Sequence, residues 1–189
     1  MCGRYGFSTD VGEVRNILRQ LEASSGNPAV RTGEIFPGDM VPILLAGNGR
    51  PRPAAARWGF PNPYRKGLII NARAETAGEK PLFRSLLVGR RCVVPVTCFY
   101  EWTRDAARKK YAFRMENAPV TYLAGLYDTV DGENRFVILT TAANASMKPV
   151  HDRMPLVLTE EEGCSWLWDS EAAGRILSQK PEELERTEA

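Results

Sequence analysis

Cys2 carries the most specific chemistry in this sequence, because removal of Met1 places a thiol and a free α-amine on one residue. An unperturbed α-amine titrates near pH ~7.7–8.0 and a thiol near ~8.5, so a modest shift in either supplies neutral amine or thiolate at physiological pH. The pair can capture an aldehyde: the amine forms an imine, and the thiol closes on the same carbon to give a five-membered thiazolidine. While Met1 is attached the Cys2 nitrogen is an amide, so this chemistry belongs to the processed chain. His151, the only histidine, lies in Lys148-Pro149-Val150-His151-Asp152-Arg153-Met154-Pro155, where turns can aim it at a cavity, and its ordinary pKa near ~6.5 suits proton transfer. Glu101 stands between Tyr100 and Trp102 at the end of an apolar run, half-buried as a proton-transfer carboxyl requires. Asn71 follows the apolar Leu68-Ile69-Ile70 and can orient a nucleophile by hydrogen bonding.

The elements that must position these groups read as α+β. Asp10 and Glu13 have the spacing of a capping-box variant, and Val11, Val14, Ile17, Leu18 and Leu21 predict a helix ending near Ser24. Met40–Ala46 and a segment from about Ala55 to Phe60 predict a hairpin across Gly47-Asn48-Gly49. Gly67–Asn71 reads as a short buried strand, and Leu82, Phe83, Leu86 and Leu87 as a short helix. Cys92–Trp102 reads as one β-rich strand. Strands at Tyr111–Met115, Val120–Tyr127 and Arg135–Thr141 follow, with turns at 117–119 and 131–134. Pro155–Leu158 is a last strand, and Thr159 caps a helical region holding Trp166 and Leu167. The order predicts a single domain over 1–179, built on a curved, barrel-like, mainly antiparallel β-sheet flanked by a few helices. Residues 180–189 hold Lys180 and Arg186 against Glu182, Glu183, Glu185 and Glu188, and are expected to form a disordered acidic tail.

With 189 residues and 43% hydrophobic content the chain can bury a real core. Four cysteines without a CxxC pair and one histidine lack the ligand set of the usual zinc sites, so no metal or other cofactor is expected. No signal segment or bilayer-length apolar run is present, and the expectation is a cytoplasmic protein with reduced thiols. The net charge of +2 singles out no partner, but the tail's −2 leaves the rest at +4. Basic residues gather at 50–57, 65–66, 90–91 and 108–110 with Trp58, Tyr64 and Trp102 nearby, a pattern that suits a nucleic-acid surface.

Five motifs, Met1-Cys2-Gly3-Arg4-Tyr5, Trp58-Gly59-Phe60, Asn71-Ala72-Arg73-Ala74-Glu75-Thr76, Phe99-Tyr100-Glu101-Trp102 and His151-Asp152-Arg153-Met154-Pro155, occur in this order. Together they resemble the SRAP (SOS response-associated peptidase) domain family from Cys2 to about Leu158. That resemblance implies covalent capture of abasic sites in single-stranded DNA during the DNA damage response, and N-terminal self-processing peptidase activity, by a monomer that is nucleoid-associated when bound. It gives His151 the opening of the closed sugar and Cys2 the attack on C1′. Glu101 moves protons as carbinolamine becomes imine, and Asn71 holds the reacting terminus. Arg4, Arg73 and Arg153 match basic positions and are expected to bind phosphates. Trp58 is expected to stack a base, Pro37 to line the groove and Arg84 to add a weaker DNA contact. Cys98 stands where the family usually has a small residue and reads as packing. Two rival readings remain: an N-terminal-nucleophile glutamine amidotransferase, which also begins Met-Cys-Gly but typically carries an early His-Arg-Gly, and a non-catalytic single-stranded DNA-binding module.

Overall fold

The computed structural model describes residues 2–25 and 28–189. The chain opens with β1 (Tyr5–Phe7), α1 (Gly12–Ser25) and β2 (Gly33–Ile35), then the hairpin β3 (Met40–Ala46) and β4 (Pro51–Trp58). Short elements follow: β5 (Phe60–Pro61), β6 (Leu68–Ile69), β7 (Asn71–Arg73), α2 (Ala74–Ala77), α3 (Pro81–Arg84) and α4 (Leu86–Gly89). The second half runs β8 (Arg91–Val96), β9 (Cys98–Trp102), β10 (Lys110–Met115), β11 (Thr121–Val130), β12 (Glu133–Ala142), β13 (Arg153–Pro155) and β14 (Val157–Leu158). It closes with α5 (Glu160–Trp168), α6 (Ser170–Ser178) and β15 (Leu184–Glu188).

Strands β12, β4, β3, β8 and β11 are neighbours in turn, and β11 pairs back onto β12, so the sheet closes into a barrel. The β12–β4 contact is parallel and the other ring pairings are antiparallel, in keeping with the barrel-like, mainly antiparallel expectation. A second, antiparallel sheet runs β15-β10-β9-β1-β2. One apolar cluster holds Cys2, Tyr5, Trp58, Phe99, Phe113 and Phe136, and the other includes Phe60, Ala77, Trp166 and Ile176.

The short strand read over Gly67–Asn71 is instead β6 and β7, with Leu68 exposed rather than buried, and the short helix read through Leu82–Leu87 is α3 and α4. Three further local outcomes differ from the sequence reading. The run Cys92–Trp102 is two strands, not one, because the chain leaves the barrel at Thr97, whose N–H donates to the Gly6 carbonyl, and enters the second sheet. Gly6 permits that crossing: a methyl there would lie 2.9 Å from Thr97 Oγ1 and 3.0 Å from Cys98 Sγ. Glu13 does not serve the helix start; its carboxylate accepts from Tyr122 Oη, while Ser8 Oγ receives the Asp10 N–H. The third correction concerns 180–189, whose residues 184–188 form β15, paired along β10 from Tyr111↔Glu188 to Met115↔Leu184 with Leu184 buried. At α5 the expected Thr159 cap is present as a full capping box with Glu162.

Candidate active site

The residue order at the amino end follows from sheet pairing. Tyr5 pairs with Phe99, and the Tyr100 N–H donates to the Arg4 carbonyl, so the residues before β1 run beside β9, the strand that carries Glu101. Cys2 Sγ donates to the same Arg4 carbonyl at 3.6 Å, and Asn71 Nδ2 donates to the Cys2 carbonyl at 2.9 Å. Asn71 is held by the parallel pairing of β7 on β12, and the carbonyl of Ile70 just before it accepts from Ile138 N and Trp58 Nε1. Asn71 Oδ1 is buried and has no hydrogen-bond partner among the described residues, an acceptor left beside the Cys2 backbone.

Cys2 is fully buried, and its thiol is pushed up to about 12, by burial first and by the Glu101 carboxylate second. The thiolate expected at physiological pH is therefore replaced by a resting thiol, which must lose its proton as it reacts. Glu101 alternates inward on β9 and is 5% exposed. It lines, with Trp102, Thr103, Arg104, Asp105, Arg108 and His151, an open depression of about 380 Å³.

His151 sits on the turn between β12 and β13, where its N–H donates to the Met147 carbonyl. Asn144, fully buried, organises that turn: its Oδ1 accepts from Met147 N and Ser146 Oγ, and its Nδ2 donates to the Glu182 carbonyl at 2.7 Å. The Glu183 carboxylate adds bonds from the Ala145 and Ser146 N–H groups. Thus the charged tail, read from sequence as disordered, fastens the loop that presents the histidine. His151 is shifted down, by burial first and with the Arg104 guanidinium opposing its protonation, so the neutral imidazole is its resting form.

The structure thus brings Cys2, Asn71, Glu101 and His151 to one corner where the amino end meets both sheets. The expected DNA contacts divide. Arg4 lies between the rings of Phe36 and Trp102, at 4.0 and 5.2 Å, and donates to Glu34. Pro37 is exposed in the turn beside Phe36, and Arg73 is exposed at the end of β7. Trp58 is corrected: it is fully buried between Tyr5 and Phe136 and has no face for a base, while its indole N–H holds the Ile70 carbonyl. Gly59 beside it has φ 109, and a Cβ there would lie 3.0 Å from Leu68 Cβ, which explains the glycine of that motif. Arg153 is 17% exposed and engaged by Glu75 at 2.5 and 2.9 Å and by the Thr140 carbonyl, so it ties two of the motifs together rather than standing ready for a phosphate. Arg84 is exposed on α3, and no contact found among the described residues joins it to the groups around Cys2. Cys98 faces away from Glu101, with Tyr100 and Trp102 on the other side of β9, consistent with packing.

Sequence reasoning missed Arg104, whose guanidinium reaches both His151 and Asp152. A polar loop after Trp102 gives no periodicity from which to foresee it. It also missed Glu75 as the partner of Arg153, since the two stand far apart in the chain.

These features define a buried-cysteine site near the amino end of a closed mixed barrel. The chain belongs to the SOS response associated peptidase (SRAP) family, whose model matches residues 1–188. It is 34% identical over 182 residues to the abasic site processing protein YoqW of Bacillus subtilis, covering 88% of this chain and 80% of that protein. It is 28% identical to the abasic site processing protein YedK of Escherichia coli, covering 95% and 84%. A crystal structure of a Bordetella bronchiseptica protein shares the fold with a TM-score of 0.79 at 22% identity, covering 100% of this chain and 99% of that one. Among the described residues no helix is long and apolar enough to cross a membrane.

Proposed function

We propose that this chain, after removal of Met1, captures abasic sites in single-stranded DNA as a covalent thiazolidine on Cys2. The observation that carries the reading is the Asn71 Nδ2 bond to the Cys2 carbonyl at 2.9 Å, which fixes the only residue able to offer amine and thiol together beside a buried carboxyl. Relatives at 34% and 28% identity are named for abasic site processing, which supports the same substrate.

The steps follow from the groups present. His151, neutral at rest, exchanges the proton that converts the closed sugar to its aldehyde. The Cys2 amine adds to C1′, and the Glu101 carboxylate takes the proton shed by the attacking nitrogen and passes it to the departing hydroxyl, so water leaves and an imine forms. The thiol then adds across the C=N bond: sulfur joins C1′, and the thiol proton, relayed by Glu101, ends on the ring nitrogen. Since the thiol rests protonated, a carboxylate at hand is required for ring closure to outrun β-elimination. Exposed Arg73 and the aromatic-flanked Arg4 supply charge for the neighbouring phosphates. Self-processing of Met1 by Cys2 and Glu101 is the peptidase activity this site would perform.

Intact-mass measurement of the mature chain with single-stranded DNA bearing one abasic site is the test. A heat-resistant species of protein-plus-DNA mass is expected. Its absence when N-terminal processing is complete would sink the reading, and glutaminase activity without an adduct would favour an amidotransferase. For self-processing, the Met1-bearing chain should lose one methionine mass on incubation, and Glu101→Gln should not.

A further inference from the structure

Both ring nitrogens of His151 face N–H donors. The Arg153 backbone N and Asp152 Oδ1 each lie 3.0 Å from Nδ1, and Arg104 Nη2 lies 3.1 Å from Nε2. A guanidinium has donors only, so Nε2 opposite it is called on to accept. A neutral imidazole accepts at one nitrogen only, so with Nε2 accepting from Arg104 its single hydrogen is on Nδ1, toward the Asp152 carboxylate; a proton taken up must go to Nε2, and Arg104 must leave to admit it. The Arg153 N–H is fixed, because Arg153 pairs with Ala142 in the β12–β13 ladder and the Asp152 carbonyl beside it accepts from Ala143 N. Arg104 is not fixed in this way. It stands on the 103–109 connection between β9 and β10, and its one carboxylate partner among the described residues is Asp152 at 2.6 Å, with the two side chains 61% and 64% exposed. An exposed pair of that kind is weak, and a phosphate offers the guanidinium a bidentate alternative.

We propose that Arg104 is a positioning residue that holds His151 Nε2 as an acceptor, and that a DNA phosphate drawing the guanidinium away releases the imidazole to take up a proton. Arrival of the strand and readiness of the proton-transfer group are thereby coupled. The inference rests on the abasic-capture reading for the identity of the phosphate, but the contact between Arg104 and His151 does not. The charged groups acting on the ring are Glu101 from β9, Arg104 from the connection, Asp152 beside it and the amino terminus of the chain. Glu101 and Asp152 favour the imidazolium, whereas Arg104 and the amino terminus oppose it. Loss of Arg104 removes one opposing charge and leaves Asp152 Oδ1, already 3.0 Å from Nδ1, to the ring alone, so both consequences have the same sign.

Because His151 is the only histidine, its imidazole resonances can be followed by NMR without assignment ambiguity. In the mature chain Arg104→Gln should raise the His151 pKa by about 0.5–1 unit. Arg104→Lys, which keeps the charge without the planar fork, should fall between the variant and the parent. Arg108→Gln, on the same connection and lining the same depression, should leave the titration in place. Single-stranded DNA carrying a tetrahydrofuran abasic analogue, which has no aldehyde, should raise the parent's His151 pKa by a larger step than that of Arg104→Gln. The pH–rate profile of adduct formation should move with the NMR value. An unchanged titration in Arg104→Gln, equal DNA-induced steps in both proteins, or a rate lowered uniformly at every pH would each overturn the proposal. Absence of adduct in the parent would overturn the functional reading instead, and the DNA-free titrations would still decide the role of Arg104.

Discussion

Cys2 and Cys92 are both fully buried, and burial pushes both thiols upward. Cys92 lies on β8 inside the closed barrel, where a Cβ added at Gly125 would come within 2.8 Å of its sulfur, and burial is the whole cause of its shift. Its carbonyl accepts from the Trp166 indole, a bond between barrel and helix. Cys2 lies just ahead of β1, and four segments bring polar groups to it: the Arg4 carbonyl, the Asn71 amide, Glu101, and the His151 turn next to Glu101. Burial alone makes a thiol inert packing. A reacting thiol needs burial together with groups that place its backbone and take its proton, and only the amino-terminal corner supplies them.

The sharpest way to break this comparison is to remove each sulfur. In the mature chain Cys2→Ala keeps an α-amine, so a borohydride-reducible imine and strand cleavage should remain while the heat-resistant adduct disappears. Cys92→Ala should leave the adduct rate within about twofold and lower stability by about 1–2 kcal/mol, the cost of a small cavity. Gel analysis with and without borohydride, beside denaturant unfolding, reads both. Equal loss of adduct in the two variants would abolish the distinction.

Asn71→Ala comes next. It removes the bond to the Cys2 carbonyl and also an unpartnered buried oxygen, so the two stability terms oppose each other. Adduct formation should slow roughly tenfold to a hundredfold through lost orientation, with little change in melting temperature. A rate near that of the parent would show that β1 pairing alone holds Cys2.

What the sequence revealed follows the same division. Helix α1, strands β3, β10 and β12 and the α5 cap were legible because periodicity and turn chemistry are local. The break at Thr97 was not, since the run Cys92–Trp102 is β-rich throughout and the change of sheet depends on its contact with Gly6, far away in the chain. Strand β15 looked like a solvated charged tail because its partner, β10, lies some seventy residues earlier and only Leu184 is buried. Asn71, Glu101 and His151 could be picked out by residue type and motif, whereas the burial of Trp58 and the pairing of Arg153 with Glu75 were fixed by tertiary contacts.

On the Cys92 side the matching test is Arg91, 6% exposed at the start of the same strand. It donates to the carbonyls of Leu87 and Val88 at the end of α4 and of Trp166 and Leu167 at the end of α5. Arg91→Met should leave those carbonyls unmet and cost about 2–4 kcal/mol in denaturant unfolding. Adduct formation per folded molecule should be unchanged. A selective loss of adduct at unaltered stability would move Arg91 into the site.

The smallest effect is expected at the pair that joins two site motifs, Glu75 and Arg153. The Glu75 carboxyl is held below its ordinary value of 4.5, by the Arg153 hydrogen bond first. A depressed acid stabilises the fold in full above its unfolded value, and that contribution fades as pH falls below 4.5 through the folded value. Parent and Glu75→Gln should therefore differ most near neutrality and converge in acid. Because Glu75 is 43% exposed, the neutral-pH difference should be only about 0.5–1 kcal/mol. The same substitution unties Arg153 from its carboxylate, so affinity for single-stranded DNA should rise slightly and its dependence on log salt should steepen by about one ion. An unchanged salt slope would mean that the Thr140 carbonyl is sufficient to keep Arg153 from the strand, leaving Arg153 a structural tie as firmly committed as Arg91.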